Sequence, residues 1–331
     1  MDTKVKERRY LFDNYKCLLI FLVVFGHVLE EYGIFGTSER IRALIYSFHM
    51  PAFVFISGYF SKEISKGYDQ AVKKCLLPFL FFNTIWLVIT ANTWHINMLL
   101  PTYVFWYLLS LFFWRITIGF VSKVRFSFMM LLLLALYVGC FHEVDRFLSI
   151  SRTLVFYPFF YLGFWLSERQ MIKLRSYSKW VAIVLVLTGF GVTLYLNMTG
   201  KIPVKTYENL QCYYCSGIGN GMGIMTRLFE ILVSIAIVLG VLMLIPDKKY
   251  RFTSVGGRTV TVYLLSSFFV RGFHIATDKL QWTEIFKGND VLLLLVGLGV
   301  SVGIVYVCSR KWICRIYNQL FDCLSGVLLK K

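Results

Sequence analysis

Charge is what this sequence lacks. Only 16% of its 331 residues are Asp, Glu, Lys or Arg, and acidic residues number 18 against 35 basic ones. Water-soluble chains carry about a quarter of their residues as charges, so an ordinary soluble domain is excluded. A cleavable leader is also missing: the first apolar stretch is long and no small-residue cleavage site follows, so it is expected to be a true membrane span. No internal repeat is visible, and no linker sets off a soluble domain. The pair Cys212 and Cys215 ("CYYC") has no second Cys-x-x-Cys to complete a zinc motif, so it is read as two thiols or a local disulfide, and no metal is expected. No segment interleaves basic and aromatic residues as a nucleic-acid groove does, so the formal charge of +17 is not taken to indicate nucleic acid.

What the chain has instead is long apolar blocks, with 57% hydrophobic residues and a mean hydropathy of +0.65. They predict an all-α polytopic membrane protein, one membrane-embedded domain over residues 1–331 with short cytoplasmic tails at 1–14 and 310–331. About ten transmembrane helices are expected, near 15–33, 41–61, 75–93, 101–121, 126–141, 152–168, 179–198, 226–246, 257–275 and 289–309. The fifth and sixth are short for a bilayer. Basic residues fix the orientation. Lys4, Lys6, Arg8, Arg9 and Lys16 precede or open the first span. Clusters at Lys62–Lys74, Arg115–Arg125, Arg169–Lys179, Lys248–Arg258 and Arg310–Lys331 then fall on alternate connections. Both termini are therefore cytoplasmic and the span count is even.

Ionisable groups inside spans are costly in hydrocarbon and mark functional sites by default. In "DNYKCLLIFLVVFGHVLE", Lys16 and His27 are eleven residues apart, which places them on one helical face separated by about 16 Å along the axis. Glu30 and Glu31 follow His27 at i+3 and i+4, positioned to orient it. A lone lysine there would ordinarily snorkel to the interface; the shared face with His27 raises a functional role. In "YSFHMPAFVFISGYF", His49 falls at nearly the depth of His27 on the next span. An isolated bundle histidine is as often a hydrogen-bonded packing residue, but Pro51 frees backbone groups and Ser57-Gly58 permits close helix contact. Together these features predict a polar chamber. Arg152 opens the span "SRTLVFYPFFYLGFWL". Arg227 and Glu230 stand at i and i+3, where a structural ion pair is as good an expectation as a functional one. Arg258 follows two glycines at the inner boundary, a turn that could receive a phosphate. The aromatic-rich "PTYVFWYLLSLFFWRI" is read as interfacial belt and packing.

The segments "RRYLFDNYKCLLIFLVVFGHVLE", "FHMPAFVFISGYF", "FWYLLSLFFW", "SRTLVFYPFFYLGFWL" and "GGRTVTVYLL" occur in the order seen in the membrane-bound acyltransferase 3 family. The set resembles most its fucose 4-O-acetylase-like branch. The resemblance covers nearly the whole chain. It implies a ten-helix core in a bacterial inner or plasma membrane, embedded among membrane lipids. Such a core would move acetyl from cytoplasmic acetyl-CoA to hydroxyls of a surface polysaccharide or its lipid-linked precursor. Carried over by position, the family's basic-residue-to-histidine motif falls on Lys16 and His27, where arginine is commoner than lysine at the first place. The "FHMP" motif falls on His49, the "SRTL" motif on Arg152, and the "GR-T" motif on Arg258 and Tyr263. The histidine that closes this last motif in relatives is replaced by Leu265-Ser266.

These residues predict O-acetyl transfer. His27, held by Glu30 or Glu31, is the expected base for the acceptor hydroxyl, or else the covalent acetyl carrier. Lys16 and Arg258 would hold the phosphates of acetyl-CoA. His49 and Arg152 would contact the acceptor or the thioester carbonyl, with Tyr263 also on the substrate side. Two other classes stay open. A proton-coupled transporter also buries histidines and glutamates, though it usually has internal repeats and broken helices at matching positions. A non-catalytic membrane glycan-binding or sensory protein would bind without transfer.

Overall fold

A computed structural model describes residues 10–32, 36–64, 67–91, 99–142, 147–209 and 212–328. Lys4, Lys6, Arg8, Arg9, Lys66, Lys330 and Lys331 of the expected inner-face clusters lie outside these residues, as do the expected span ends at 33 and 92–93. Among the described residues all regular structure is helical. The helices are α1 (Leu11–Tyr32), α2 (Thr37–Tyr46), α3 (His49–Tyr59), α4 (Gly67–Ala71), α5 (Leu77–Ala91), α6 (Trp106–Val121), α7 (Ser127–Tyr137) and α8 (Ile150–Trp165). They continue with α9 (Glu168–Ser176), α10 (Lys179–Met198), α11 (Asn220–Leu244), α12 (Thr253–Gly256), α13 (Thr259–Lys279), α14 (Trp282–Gly288), α15 (Asp290–Cys308) and α16 (Lys311–Leu328). A π-turn over Val72–Leu76 joins α4 to α5.

Eight spans are long and apolar enough to cross a bilayer, counting α2–α3 and α4–α5 as one each. Two shorter apolar helices, Trp106–Val121 and Ser127–Cys140, accompany them. The short elements are thus the fourth and fifth of the ten expected segments rather than the fifth and sixth. The sixth reaches 19 residues over Phe147–Trp165, because a distorted turn with Leu148 and Ser149 at positive φ extends it outward.

The second span is broken where hydropathy alone reads it as continuous. The chain leaves helix at Ser47-Phe48, and the freed backbone groups are satisfied locally, as they must be in an apolar interior. The Ser47 carbonyl accepts from the Ser234 hydroxyl at 2.5 Å, and the Ile45 carbonyl accepts from Nδ1 of His49 at 2.7 Å. Pro51 sits in the first turn of α3, where a missing N–H costs no helical hydrogen bond. The helix α3 packs most extensively on α8. Gly58 lies against the Phe160 carbonyl and Gly163 against that of Phe55, so that a Cβ at either glycine would overlap the opposing backbone. Two small residues thereby permit close contact between α3 and α8.

The helix α1 runs through the core against α12, α13 and α15. The side chain of Asn14 donates to the carbonyls of Pro246 and Lys248, both at 2.8 Å, which ties its inner end to the α11–α12 connection. On the inner face α9 begins with a capping box of Ser167 and Gln170. The strongly amphipathic α16 rests Phe321 and Tyr317 on Phe81 and Phe82 of α5. In the outer connection between α10 and α11, Cys212 and Cys215 form a disulfide.

Candidate active site

Near the outer ends of the spans lies a cavity of about 440 Å³. Its wall includes His27 and Glu30 from α1, His49 and Met50 from α3, Arg152 from α8 and Tyr263 from α13, five of these six being expected site residues. Further polar lining comes from Tyr46, Thr102, Tyr103, Tyr207 and Glu208. A second cavity of about 260 Å³ lies toward the inner ends. Lys16, Lys74 and Arg115 line it together with Ser57, Tyr107 and apolar groups such as Ile20, Phe53 and Leu111. Among the described residues, only Met50 and Tyr263 line both cavities, so these two side chains stand at the partition between them.

In the outer cavity, Nδ1 of His27 is 2.9 Å from Oε2 of Glu30. The same oxygen accepts from the Tyr46 hydroxyl at 2.9 Å. Gly26 makes this possible, since the Tyr46 ring occupies the space a side chain there would need. With Nδ1–H donated to Glu30, the Nε2 of His27 is the nitrogen left for a substrate. Glu31, the alternative orienting residue, is engaged elsewhere, 3.3 Å from Arg271 and 3.7 Å from His274. His49 is buried and its Nδ1 is committed to Ile45, which likewise leaves Nε2 for a ligand. It therefore both seals the α2–α3 break and lines the cavity.

Arg152 is held by donation from Nε to the Glu208 carbonyl at 2.8 Å and by stacking of its guanidinium 4.9 Å from the Trp106 ring centre. The Tyr263 hydroxyl donates to the Val104 carbonyl, and its ring lies 5.5 Å from that of Tyr107. The outer-loop Glu208 is half-buried, and its carboxyl is pushed above the ordinary carboxylate range by burial first and then by the charge of Glu30. Tyr103 stands out. It is a non-glycine residue at φ +46°, stacked on Trp86 and 4.9 Å from the His27 ring. Its buried hydroxyl has no hydrogen-bond partner among the described residues. Strained backbone and an unsatisfied buried donor are both features that concentrate at functional sites.

Two expected placements come out differently. Arg258 does not share the Lys16 cavity. It opens α13, donates to the Ser309 carbonyl at 2.8 Å, and lines a separate inner-face pocket with Arg251, Arg310, Lys311 and Arg315. The preceding glycine turn is filled by protein: Gly256 packs directly on the backbone of Asp13. Arg227 does not pair with Glu230. It donates to the Ala135 carbonyl at 3.3 Å and lies over the Tyr213 ring.

Lys74, Arg115, Tyr103 and Glu208 are site-lining residues that inspection of the sequence did not single out. Lys74 and Arg115 had counted only as inner-face charges, and Tyr103 as part of an aromatic belt. Proximity of Tyr103 to Pro101 was the available signal; Lys74 lies within the π-turn, which no pattern in the sequence marks.

The family described as an acyltransferase domain matches residues 9–310. A relative, the nodulation protein NolL of Mesorhizobium japonicum, is 31% identical over 342 residues, spanning 92% of this chain and 87% of that protein. No solved structure matches.

Proposed function

Because this multi-pass membrane protein belongs to the acyltransferase 3 family, we propose that it is an O-acetyltransferase. In this proposal it carries acetyl from cytoplasmic acetyl-CoA to a hydroxyl of a surface polysaccharide or its lipid-linked precursor, in a bacterial inner or plasma membrane. The observation that carries the proposal is the pair of cavities that meet at Met50 and Tyr263. One has cations suited to a phosphate-bearing donor, and the other has a histidine–glutamate pair suited to deprotonating a hydroxyl.

Lys74 and Arg115 supply the inner positive charge together with Lys16, whose ammonium is paired with Asp13 at 3.0 Å, and the apolar wall of that cavity suits the thin pantetheine arm. Lys16 is a point charge rather than a bidentate fork, so it neutralises phosphate without fixing its geometry. The axial distance from Lys16 to His27 is about 16 Å, comparable to the reach of an extended pantetheine chain. The thioester then lies at the Met50–Tyr263 partition, and the sugar enters from outside among Arg152, Tyr207 and Glu208. Nε2 of His27 takes the proton as the acceptor oxygen bonds to the thioester carbonyl carbon. Collapse of the tetrahedral adduct breaks the C–S bond, and the imidazolium returns the proton to the departing CoA sulfur. Glu30 holds the ring in the required tautomer and balances its charge. The Tyr103 hydroxyl is a donor in this proposal for the developing oxyanion.

The test is direct. Protein reconstituted in lipid vesicles is given acetyl-radiolabelled acetyl-CoA and oligosaccharide acceptors, a fucosylated one among them. Ester-linked label on the glycan, with CoA release that depends on acceptor, is expected. Binding of acetyl-CoA without transfer to any acceptor would reduce the protein to a binder, and absence of acetyl-CoA binding would reject the donor assignment as well.

A further inference from the structure

Sequence spacing gave Cys212 and Cys215 no additional metal ligand, but the fold brings one to them. The ring of Tyr213 fills the space left by Gly139 and Gly223. Its backbone N–H donates to the Gly139 carbonyl and its hydroxyl to that of Leu136, both at 2.7 Å. This anchor presses the outer loop onto the end of the α7 segment, from which His142 follows. Nδ1 of His142 lies 3.6 Å from the sulfur of Cys212 and 3.9 Å from that of Cys215. The three ligand atoms fall within 4.8 Å of one another.

The turn itself has the form of a metal-binding knuckle. The Cys215 N–H points at the Cys212 sulfur at 3.0 Å, and the Ser216 N–H donates to the Cys212 carbonyl at 3.1 Å. Gly217 closes it at φ +74°, a conformation glycine takes without steric cost. An N–H directed at sulfur favours the thiolate, which is the form that binds metal. His142 and Cys215 are exposed and Cys212 is buried, so the cluster is open on one side.

We propose that this cluster, in its dithiol form, binds one thiophilic divalent cation of the zinc class through both thiolates and Nδ1 of His142, leaving a fourth position for water or a ligand. Two cysteines and one histidine form a donor set that suits zinc, and three protein ligands plus an open position is a coordination zinc commonly takes. Reduction of the disulfide by a dithiol transfers two electrons and two protons to the sulfurs, while the dithiol becomes a disulfide. The entering cation then displaces both thiol protons. The loop is thus stapled by the disulfide in one state and by metal in the other. It also carries Tyr207 and Glu208 into the outer cavity, so the staple supports one wall of that cavity. The proposal does not depend on acetyl transfer.

It is tested with the full-length protein in detergent. The protein is reduced with a phosphine, freed of excess reductant, assayed for free thiols and titrated with Co²⁺ as a spectroscopic probe. One Co²⁺ per chain should give thiolate-to-metal charge-transfer absorption that Zn²⁺ abolishes. Cys212→Ser and Cys215→Ser should each remove that band. His142→Ala should weaken binding by no less than the about tenfold typically lost with a mere outer-shell partner. The wild-type titration decides even if a variant misfolds. The proposal is overturned by no band in reduced wild type, or by a pair that resists the phosphine. A band unchanged in the cysteine variants, which would place the metal on other thiols, or an affinity unchanged in His142→Ala overturns it equally.

Discussion

Nδ1 of His27 lies 2.9 Å from Oε2 of Glu30, one helical turn further along α1, and that carboxylate oxygen also receives the Tyr46 hydroxyl. The carboxylate therefore fixes the tautomer and plane of the imidazole. Glu30→Gln keeps the shape and can still accept at its amide oxygen, but it withdraws the charge that balances the imidazolium. It should lower kcat about tenfold or more, a part of the about 10²–10⁴-fold that general-base catalysis supplies, while KM for acetyl-CoA stays unchanged. Glu31→Gln, whose partners are Arg271 and His274, should leave kcat near wild type. Steady-state kinetics on both variants make the comparison.

Donor binding should depend on the cations that share a cavity. Lys74→Ala and Arg115→Ala should each raise KM for acetyl-CoA about ten- to a hundredfold, the equivalent of one charge-assisted hydrogen bond. Arg258→Ala should instead act on stability, because it removes the donor to the Ser309 carbonyl. Isothermal titration with CoA alongside thermal melts separates the two effects.

Tyr103 carries a buried hydroxyl without a hydrogen-bond partner among the described residues. Removing an unsatisfied buried donor is neutral or stabilising for the fold, whereas losing an oxyanion donor costs catalysis about 10²–10³-fold. Tyr103→Phe should therefore melt at or above the wild-type temperature and yet be strongly impaired in kcat. A loss of stability that parallels the loss of activity would make Tyr103 a packing residue.

The raised carboxyl of Glu208 sets a pH dependence. From about pH 4.3, the ordinary glutamate value, up to its raised value, the folded protein retains a proton that the unfolded chain has released. Folding stability contributed by this group therefore falls as pH rises through that window. Glu208→Gln cannot titrate and should show a smaller gain in melting temperature on acidification than wild type. Melts of both proteins across that window read the difference.

Much of this site was legible because hydrocarbon makes polar residues conspicuous. His27, Glu30, His49 and Arg152 interrupt apolar runs, and the helical repeat gave the first two their shared turn. The basic clusters predict which ends face inward. Lys74 and Arg115 were not legible as ligands, since a cation at the inner boundary has an ordinary reason to be there. Glu208 ends a single short 3-10 turn over Val204–Glu208 and Tyr103 lies in the turn before α6, too little regular structure for periodicity to tell which way a residue faces. The break at Ser47-Phe48 was hidden because hydropathy sees composition and not hydrogen bonds. What stabilises it is a hydroxyl from Ser234, far away in the chain. That Arg258 lines a different pocket from Lys16 was hidden for a related reason: a Gly-Gly turn reads as an anion cradle until Gly256 is found packed on the backbone of Asp13.

The central claim is that the imidazole of His27 takes the acceptor's proton. Acetyl transfer by His27→Ala, reconstituted and shown by its melt to be folded, measures it most directly. The account predicts a loss of about 10²–10⁴-fold in kcat with acetyl-CoA still bound. Transfer at the wild-type rate in the folded variant would contradict it.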